Sequence, residues 1–262
     1  MSIVEQLESL SRETVGLHHR MDRRGLTLAK VTNITDPDKF NRVKCLPIGS
    51  ENAEETDWCY VMAPAGGMER GMFWFPRVDD LVVLAYLDDD PHRPMVLGAL
   101  WTTEVKPPVA IQDGKVLDYL MRTPSKIELN MHDEEKKHKV TLVMPSGTTL
   151  VLDDENQKIQ LQDKEGKNAL LMDLKGGDIT LKAANSIKLD AGDGGATITL
   201  EKAGNITIKS KSKIAVQAAN IEEKASAGLK MEGATAAVKA NTTLDLNASG
   251  PATLKGLTVS IN

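Results

Sequence analysis

Few residues in this 262-residue chain stand at spacings that do chemistry. Asp88-Asp89-Asp90 could form an acid/base pair or hold a cation, and Asp190, Asp193 and Glu201 sit among glycines in a way that could suit calcium. Three carboxylates in a loop before Pro91 are ordinarily a solvated turn. Ala191-Gly192-Asp193-Gly194-Gly195 occurs once, whereas calcium-binding solenoids repeat their nonapeptide. His18 and His19 are adjacent, so a helix points them apart, and His92 has neither a cysteine nor a second histidine beside it. Cys45 and Cys59 carry no zinc spacing and no disulfide framework. They could face each other on neighbouring strands, and buried free thiols are the plainer reading. No Gly-x-Ser-x-Gly, P-loop or dinucleotide fingerprint occurs. The expectation is a protein with no catalytic residue, no cofactor and no metal.

With little chemistry to position, the elements themselves become informative. From 177 to 262 a short apolar–polar–apolar phrase recurs: Ile179-Thr-Leu181, Ile187-Lys-Leu189, Ile198-Thr-Leu200, Ile206-Thr-Ile208 and Ile214-Ala-Val216. It loosens at Ile221, continues as Leu229-Lys-Met231, Val238 and Leu244-Asp-Leu246, and ends at Leu257-Thr-Val259-Ser-Ile261. Its first apolar residues stand at 179, 187, 198, 206, 214, 221 and 229, one strand and one corner per step of near eight. A strand this short cannot stand alone, so stacked rungs of a β-solenoid are expected. The last of nine aromatic residues is Tyr119, which suits a narrow aliphatic core. A one-chain coil of three sides and a rod of three intertwined chains both fit the spacing, and the narrow core favours the trimer. Some twelve rungs at about 4.8 Å each would make a rod on the order of 60 Å long.

The chain ahead of the repeat divides into four further parts. Residues 1–24 carry a helix pattern, with Ser2 as N-cap, Glu5 closing a capping box, and a seam at Ile3, Leu7, Leu10, Thr14, Leu17 and Met21. That seam suits a short coiled coil, a helix packed on its own domain, or a helix that docks on a partner. Residues 25–103 read as a small Greek-key barrel of the OB type. Its strands are expected at Leu26–Val31, Arg42–Leu46, Trp58–Met62, Phe73–Phe75, a continuously buried run Leu81–Leu87, and Met95–Trp101. Residues 104–125 are a connector broken at Pro107-Pro108 and Pro124. Residues 126–176 form a wider β neck that tapers into the repeat.

Net charge is −5 with a pI near 5.6, which argues against a nucleic-acid-binding surface. The sequence carries no membrane-length apolar run and no signal-peptide pattern, so synthesis in the cytoplasm without a Sec signal is expected.

One stretch carries a specific resemblance. Phe75-Pro76-Arg77-Val78-Asp79-Asp80-Leu81-Val82-Val83-Leu84, then Asp89-Asp90-Pro91-His92-Arg93-Pro94-Met95-Val96-Leu97-Gly98, resembles the OB domain of phage baseplate spikes. The pattern is shared by gpV-like phage tail spikes, the central spike of phage T4 and the VgrG spikes of type VI secretion. Asp89 departs from it by standing where the family usually has Gly. In that family the barrel precedes an intertwined trimeric β-helix with octad repeats. The resemblance therefore implies a homotrimer acting as the structural spike of a contractile tail or injection-system baseplate. It would be assembled in a phage virion or secretion apparatus, and would contact the target envelope transiently and mechanically. Some relatives bind iron at the tip through His-x-His, a motif with no match here, since no histidine follows His138. A separate hub protein is implied at the amino-terminal and barrel end, through Ile3, Leu7, Leu10 and Leu17. A small PAAR-like cap is implied on Leu257, Val259 and Ile261. Two other classes remain in view: a single-chain β-helix enzyme acting on polysaccharide, and an OB-fold nucleic-acid binder.

Overall fold

The computed structural model describes residues 25–49, 53–111 and 113–260. The expected helix of residues 1–24 lies outside them, as does Ile261. Contacts divide the chain into two compact units, Met1–Ile187 and Lys188–Asn262. The described residues are mainly β, with one 3-10 turn at Leu87–Asp89 and no α-helix. No helix among them is long and apolar enough to cross a membrane.

The first unit opens with a barrel. Its strands are β1 (Thr27–Asn33), β2 (Lys44–Pro47), β3 (Tyr60–Val61), the hairpin β4 (Gly66–Gly67) and β5 (Arg70–Gly71), β6 (Leu81–Tyr86) and β7 (Pro94–Ala99). The main sheet runs β2-β1-β6-β7-β3. All its pairs are antiparallel except β3 with β7. A single antiparallel bridge, Val43 to Cys59, joins its two ends and closes the ring. That circular order is the Greek-key OB arrangement.

Period-two alternation builds the core. Ala29 and Val31 of β1, Val82, Leu84 and Tyr86 of β6, and Val96 of β7 point inward to meet Val43, Cys45 and Cys59. The run from Leu81, expected to be buried throughout, buries alternate residues instead, and Leu87 leaves the strand into the 3-10 turn. A barrel wall has one inner face, so a strand of it hides every second side chain. Phe73–Phe75 forms no strand; the backbone pairs two residues earlier, in the hairpin β4–β5. There Gly71, at φ +145, brings its Cα side against Ala65, where an added Cβ would lie 2.5 Å from the Ala65 carbonyl oxygen.

Beyond the barrel the same unit forms a seven-stranded antiparallel meander: β8 (Asp118–Arg122), β9 (Glu128–His132), β10 (Lys139–Val143), β11 (Thr149–Asp153), β12 (Lys158–Gln162), β13 (Ala169–Asp173) and β14 (Asp178–Lys182). Each strand pairs only with its neighbours in sequence. A single-chain β-helix would instead stack successive coils in parallel. Carboxylates at strand ends tie the turns. Asp153 accepts from the Asn156 N–H at 2.9 Å, Asp163 from the Lys167 N–H at 2.9 Å, and Asp173 from the Gly176 N–H at 2.8 Å.

At the boundary of the two units begins β15 (Ser186–Ala191), which with β16 (Ala196–Glu201) and β17 (Ile206–Ser210) makes a three-stranded sheet in that order. The β15–β16 connection spans residues 192–195, including Asp193 at φ 48, and is no longer than the β16–β17 connection at 202–205. The step of eleven therefore comes from where Ile187 and Ile198 fall within their strands and not from an inserted corner. From 211 to 260 no residue is in a strand and every residue is exposed.

Candidate functional site

The acidic clusters resolve into turns. Asp88 pairs with Arg93 at 2.6 Å, the Asp90 carboxylate accepts from the His92 N–H at 2.9 Å, and Asp79 pairs with Lys30 at 2.7 Å. Asp89 has φ 56, the left-handed conformation in which glycine is cheapest, which is a physical reason for a glycine preference at that turn. Asp190 accepts from the Gly194 N–H at 2.7 Å and pairs with Lys188 at 2.5 Å. Glu201 accepts from Asn205 at the opposite end of β16, so the structure does not bring these two carboxylates together. Among the described residues no group of three or more His, Cys, Asp or Glu could hold a metal ion.

The barrel carries a cluster whose parts the sequence left scattered. The Arg42 guanidinium donates to Asp36 through Nε at 2.9 Å and Nη2 at 2.8 Å, and to Asp38 at 2.6 Å. It lies 5.2, 5.8 and 5.9 Å from the ring centres of Phe40, Trp58 and Tyr60. The bond from Arg42 holds the Asp36 carboxyl far below the usual carboxylate range, and the same pair raises Arg42. The pair thus pins the loop between β1 and β2 and leaves Phe40 and Tyr60 exposed beside it. Lys44 is likewise engaged, with Glu55 at 3.0 Å. Two charged residues separated in sequence by a turn, Asp36 and Arg42, were the available signal.

A larger feature lies in the strands. Their register aligns Tyr119 with Met131, Met131 with Val140, Val140 with Leu152, Leu152 with Ile159, Ile159 with Met172, and Met172 with Ile179. A second column runs Met121, Leu129, Leu142, Leu150, Leu161, Leu170 and Leu181. Both columns share one face, because they occupy alternate positions of each strand. That face carries apolar or aromatic side chains at all fourteen positions, seven exposed and seven half-buried, and no described residue beyond Val96 is buried. A shallow hollow of about 440 Å³ on it is bounded by Val140, Leu152, Ile159 and Leu174. The second unit has the same design, with Ile198 opposite Ile208 and Leu200 opposite Ile206.

The opposite face is mostly polar, with Leu120, Val143, Val151, Ala169 and Leu171 its apolar exceptions, and its charged margin selects the register. Along one margin Asp118, His132, Lys139, Asp153, Lys158 and Asp173 stand directly opposite one another in turn. His132 Nδ1 lies 2.9 Å from Asp118, which raises the imidazole and lowers the carboxyl, with Asn130 adding the larger share at Asp118. Lys139 lies 3.0 Å from Asp153, and the Asn156 backbone bond, with Lys139, brings Asp153 to about 2. A slip of one residue would turn both the charges and the aliphatic columns to the wrong side.

Past 211 no described residue takes part in a backbone–backbone hydrogen bond. The last backbone hydrogen bond among the described residues is Lys211 N–H to Gly195 O at 2.9 Å. Ile214, Val216, Ile221, Leu229, Leu244 and Leu246 are all exposed, and so are Leu257 and Val259 of the expected cap surface.

Comparison with known proteins falls on the barrel. Residues 27–101 match the family described as the type VI secretion system/phage-baseplate injector OB domain. Over 84 residues, 30% of this chain, the sequence is 32% identical to the type VI secretion system spike protein VgrG2a of Pseudomonas aeruginosa. It has the same identity, over the same length, to the spike protein VgrG2b of that organism. The aligned segment spans 10% and 8% of the length of these two relatives.

Proposed function

We propose that this chain, whose residues 27–101 belong to the injector OB-domain family of type VI secretion systems and phage baseplates, is a non-enzymatic central spike assembled from three copies. The observation that carries the reading is the uncovered apolar ladder of β8–β14, continued by an aliphatic segment with no backbone partners. Left in water, such a face and such unpaired strands are an aggregation site. Three meanders turned face inward would close a prism with all fourteen-residue faces inside. Beyond 210, three extended chains winding in turn would give each strand a neighbour above and below. One strand per step of near eight suits that arrangement, and it supports an intertwined trimeric β-helix at the carboxyl end. A closed structure of this kind has no free edge and resists unfolding under load.

In this role the barrel and residues 1–24, with Ile3, Leu7, Leu10 and Leu17, dock on a hub protein of the baseplate. Leu257, Val259 and Ile261 present an apolar end for a small PAAR-like cap. Contraction of a phage tail or injection apparatus then drives the spike into the target envelope. The similarity of the barrel to two type VI secretion spike proteins supports this assignment. Native mass spectrometry or light scattering of the full chain tests it. A species of about 85 kDa, three times 28.5 kDa, is expected, and a stable soluble monomer would overturn it.

A further inference from the structure

The seam between β2 and β3 holds two nucleophilic side chains that the spike reading leaves unused. Cys45 and Cys59 are free thiols with no exposed surface. The Val43–Cys59 bridge sets their relation: the Val43 N–H donates to Cys59 O at 3.0 Å, and the Cys59 N–H to Val43 O at 2.7 Å. Cys45 stands two residues beyond Val43, so both thiols leave the same face of the antiparallel pair. Thr56 clasps them. Its N–H donates to Cys45 O at 2.8 Å, while its Oγ1 accepts from the Cys45 N–H at 3.1 Å and lies 3.2 Å from Cys59 Sγ. Cys59 Sγ also donates to Asp57 O at 3.4 Å. The neighbouring Cys59 thiol and burial push Cys45 up, and Cys59 is drawn down by Cys45 and by Thr56.

We propose that Cys45 and Cys59 are a site of oxidative modification, a latent cross-strand disulfide that staples β2 to β3 when the protein meets a small disulfide. The chemistry balances. The Cys59 thiolate attacks one sulfur of the small disulfide, forming a mixed disulfide and releasing one thiolate. Cys45 then gives up its proton and attacks Cys59 Sγ, releasing the second. Two protein thiols are oxidised and one small disulfide is reduced to two thiols. Access comes from local opening, because this is the thinnest seam of the ring. Every other neighbouring pair in the main sheet shares a ladder, whereas β2 and β3 share one isolated bridge and the Thr56 bonds. Regions held by few backbone bonds open without global unfolding. The staple would close the barrel covalently at that seam, whether or not the chain serves as a spike.

The test uses the full chain in its native assembly, incubated with oxidised glutathione, quenched in acid, then unfolded and alkylated. The expected product is lighter than the reduced chain by two hydrogens. It takes up no alkylating reagent, yields a peptide linked at Cys45 and Cys59, and melts at the barrel transition roughly 5–10 °C higher. Cys45→Ser, compared with itself with and without oxidant, should show no such rise and stop at the mixed disulfide. The proposal is overturned if both thiols remain alkylatable after an exposure that fully oxidises the urea-unfolded chain. It is equally overturned if the wild type stops at the mixed disulfide, or if the linked product melts lower.

Discussion

The barrel and the strands that follow it obey the same alternation, yet only the barrel satisfies itself. In residues 27–99 a curved sheet closes on its own inner face, so Ala29, Val31, Val82, Leu84 and Val96 meet one another in a single chain. From 118 to 182 the sheet stays open, with β8 and β14 as its edge strands, and no residue of its apolar columns is buried. From 211 to 260 no residue joins a strand, and Lys211 N–H to Gly195 O is the last backbone–backbone bond among the described residues. Closure separates the three cases: the barrel fills its own face, the meander leaves its apolar face open, and the segment past 211 leaves its backbone open as well, which under the proposed trimer further copies would complete.

The comparison breaks most visibly at the ladder. Leu161→Asp, in the middle of one aliphatic column, would bury an unpaired charge in each copy, a cost on the order of 3–5 kcal/mol per site. Native mass should show loss of the assembled species, while the barrel keeps its own melting transition. If the variant assembles with unchanged mass and melting, the inward face has been misassigned.

Leu84→Ala does the converse. It hollows the barrel core and should cost the barrel about 2–5 kcal/mol, lowering its transition in calorimetry. The assembled mass should persist, because the ladder is untouched. Simultaneous loss of both would mean that barrel and strands are one cooperative unit.

Acid should act on the strands before the barrel. Asp153, near 2, and Asp163 and Asp173, also lowered, stabilise the turns above the ordinary carboxylate range, and that contribution is lost as pH falls toward their folded values. Asp36, held far lower by Arg42, keeps its charge through the same window. Hydrogen exchange at pH 3 should therefore show the meander turns exchanging faster than the β1–β2 loop. His132 works in the opposite sense. Its raised value means that its pairing with Asp118 is complete below about pH 6.5 and fades as pH climbs through the folded value. Equal exchange of the two regions at pH 3 would refute the contrast.

The smallest effect is expected at a barrel turn. Asp89→Gly relieves a left-handed residue and should raise the barrel transition by a few degrees at most, from about 0.5–1 kcal/mol. A lowered transition would show that the aspartate side chain earns its place there.

Much of this was legible in the residues. The run from Phe75 to Leu84 and from Asp89 to Gly98 marked the barrel through its resemblance to the spike OB domain, whereas the alternate burial within Leu81–Tyr86 was hidden, because an unbroken apolar run reads as buried on both faces. Pairs such as Leu150/Leu152 and Ile159/Leu161 announced half-buried strands. Tyr119 and Met121 were less plain, since between Pro108 and Pro124 the pattern fits a strand or a helical turn equally well. Only pairing with Leu129 and Met131 made them the start of the ladder. The Arg42 cluster was hidden for a related reason: its rings come from two separate connections and a strand, and no local spacing predicts that they converge.

By itself, then, the sequence determined periodicity, and with it which side chains share a face, because alternation is a local property of extended backbone. What tertiary structure alone decided was how those faces close. It bent one sheet until Val43 met Cys59 and sealed a core within the chain. It left the next sheet as a meander of neighbours with fourteen apolar positions uncovered. Closure depends on curvature and on contacts distant in sequence, and no repeat of eight or ten residues encodes those by itself.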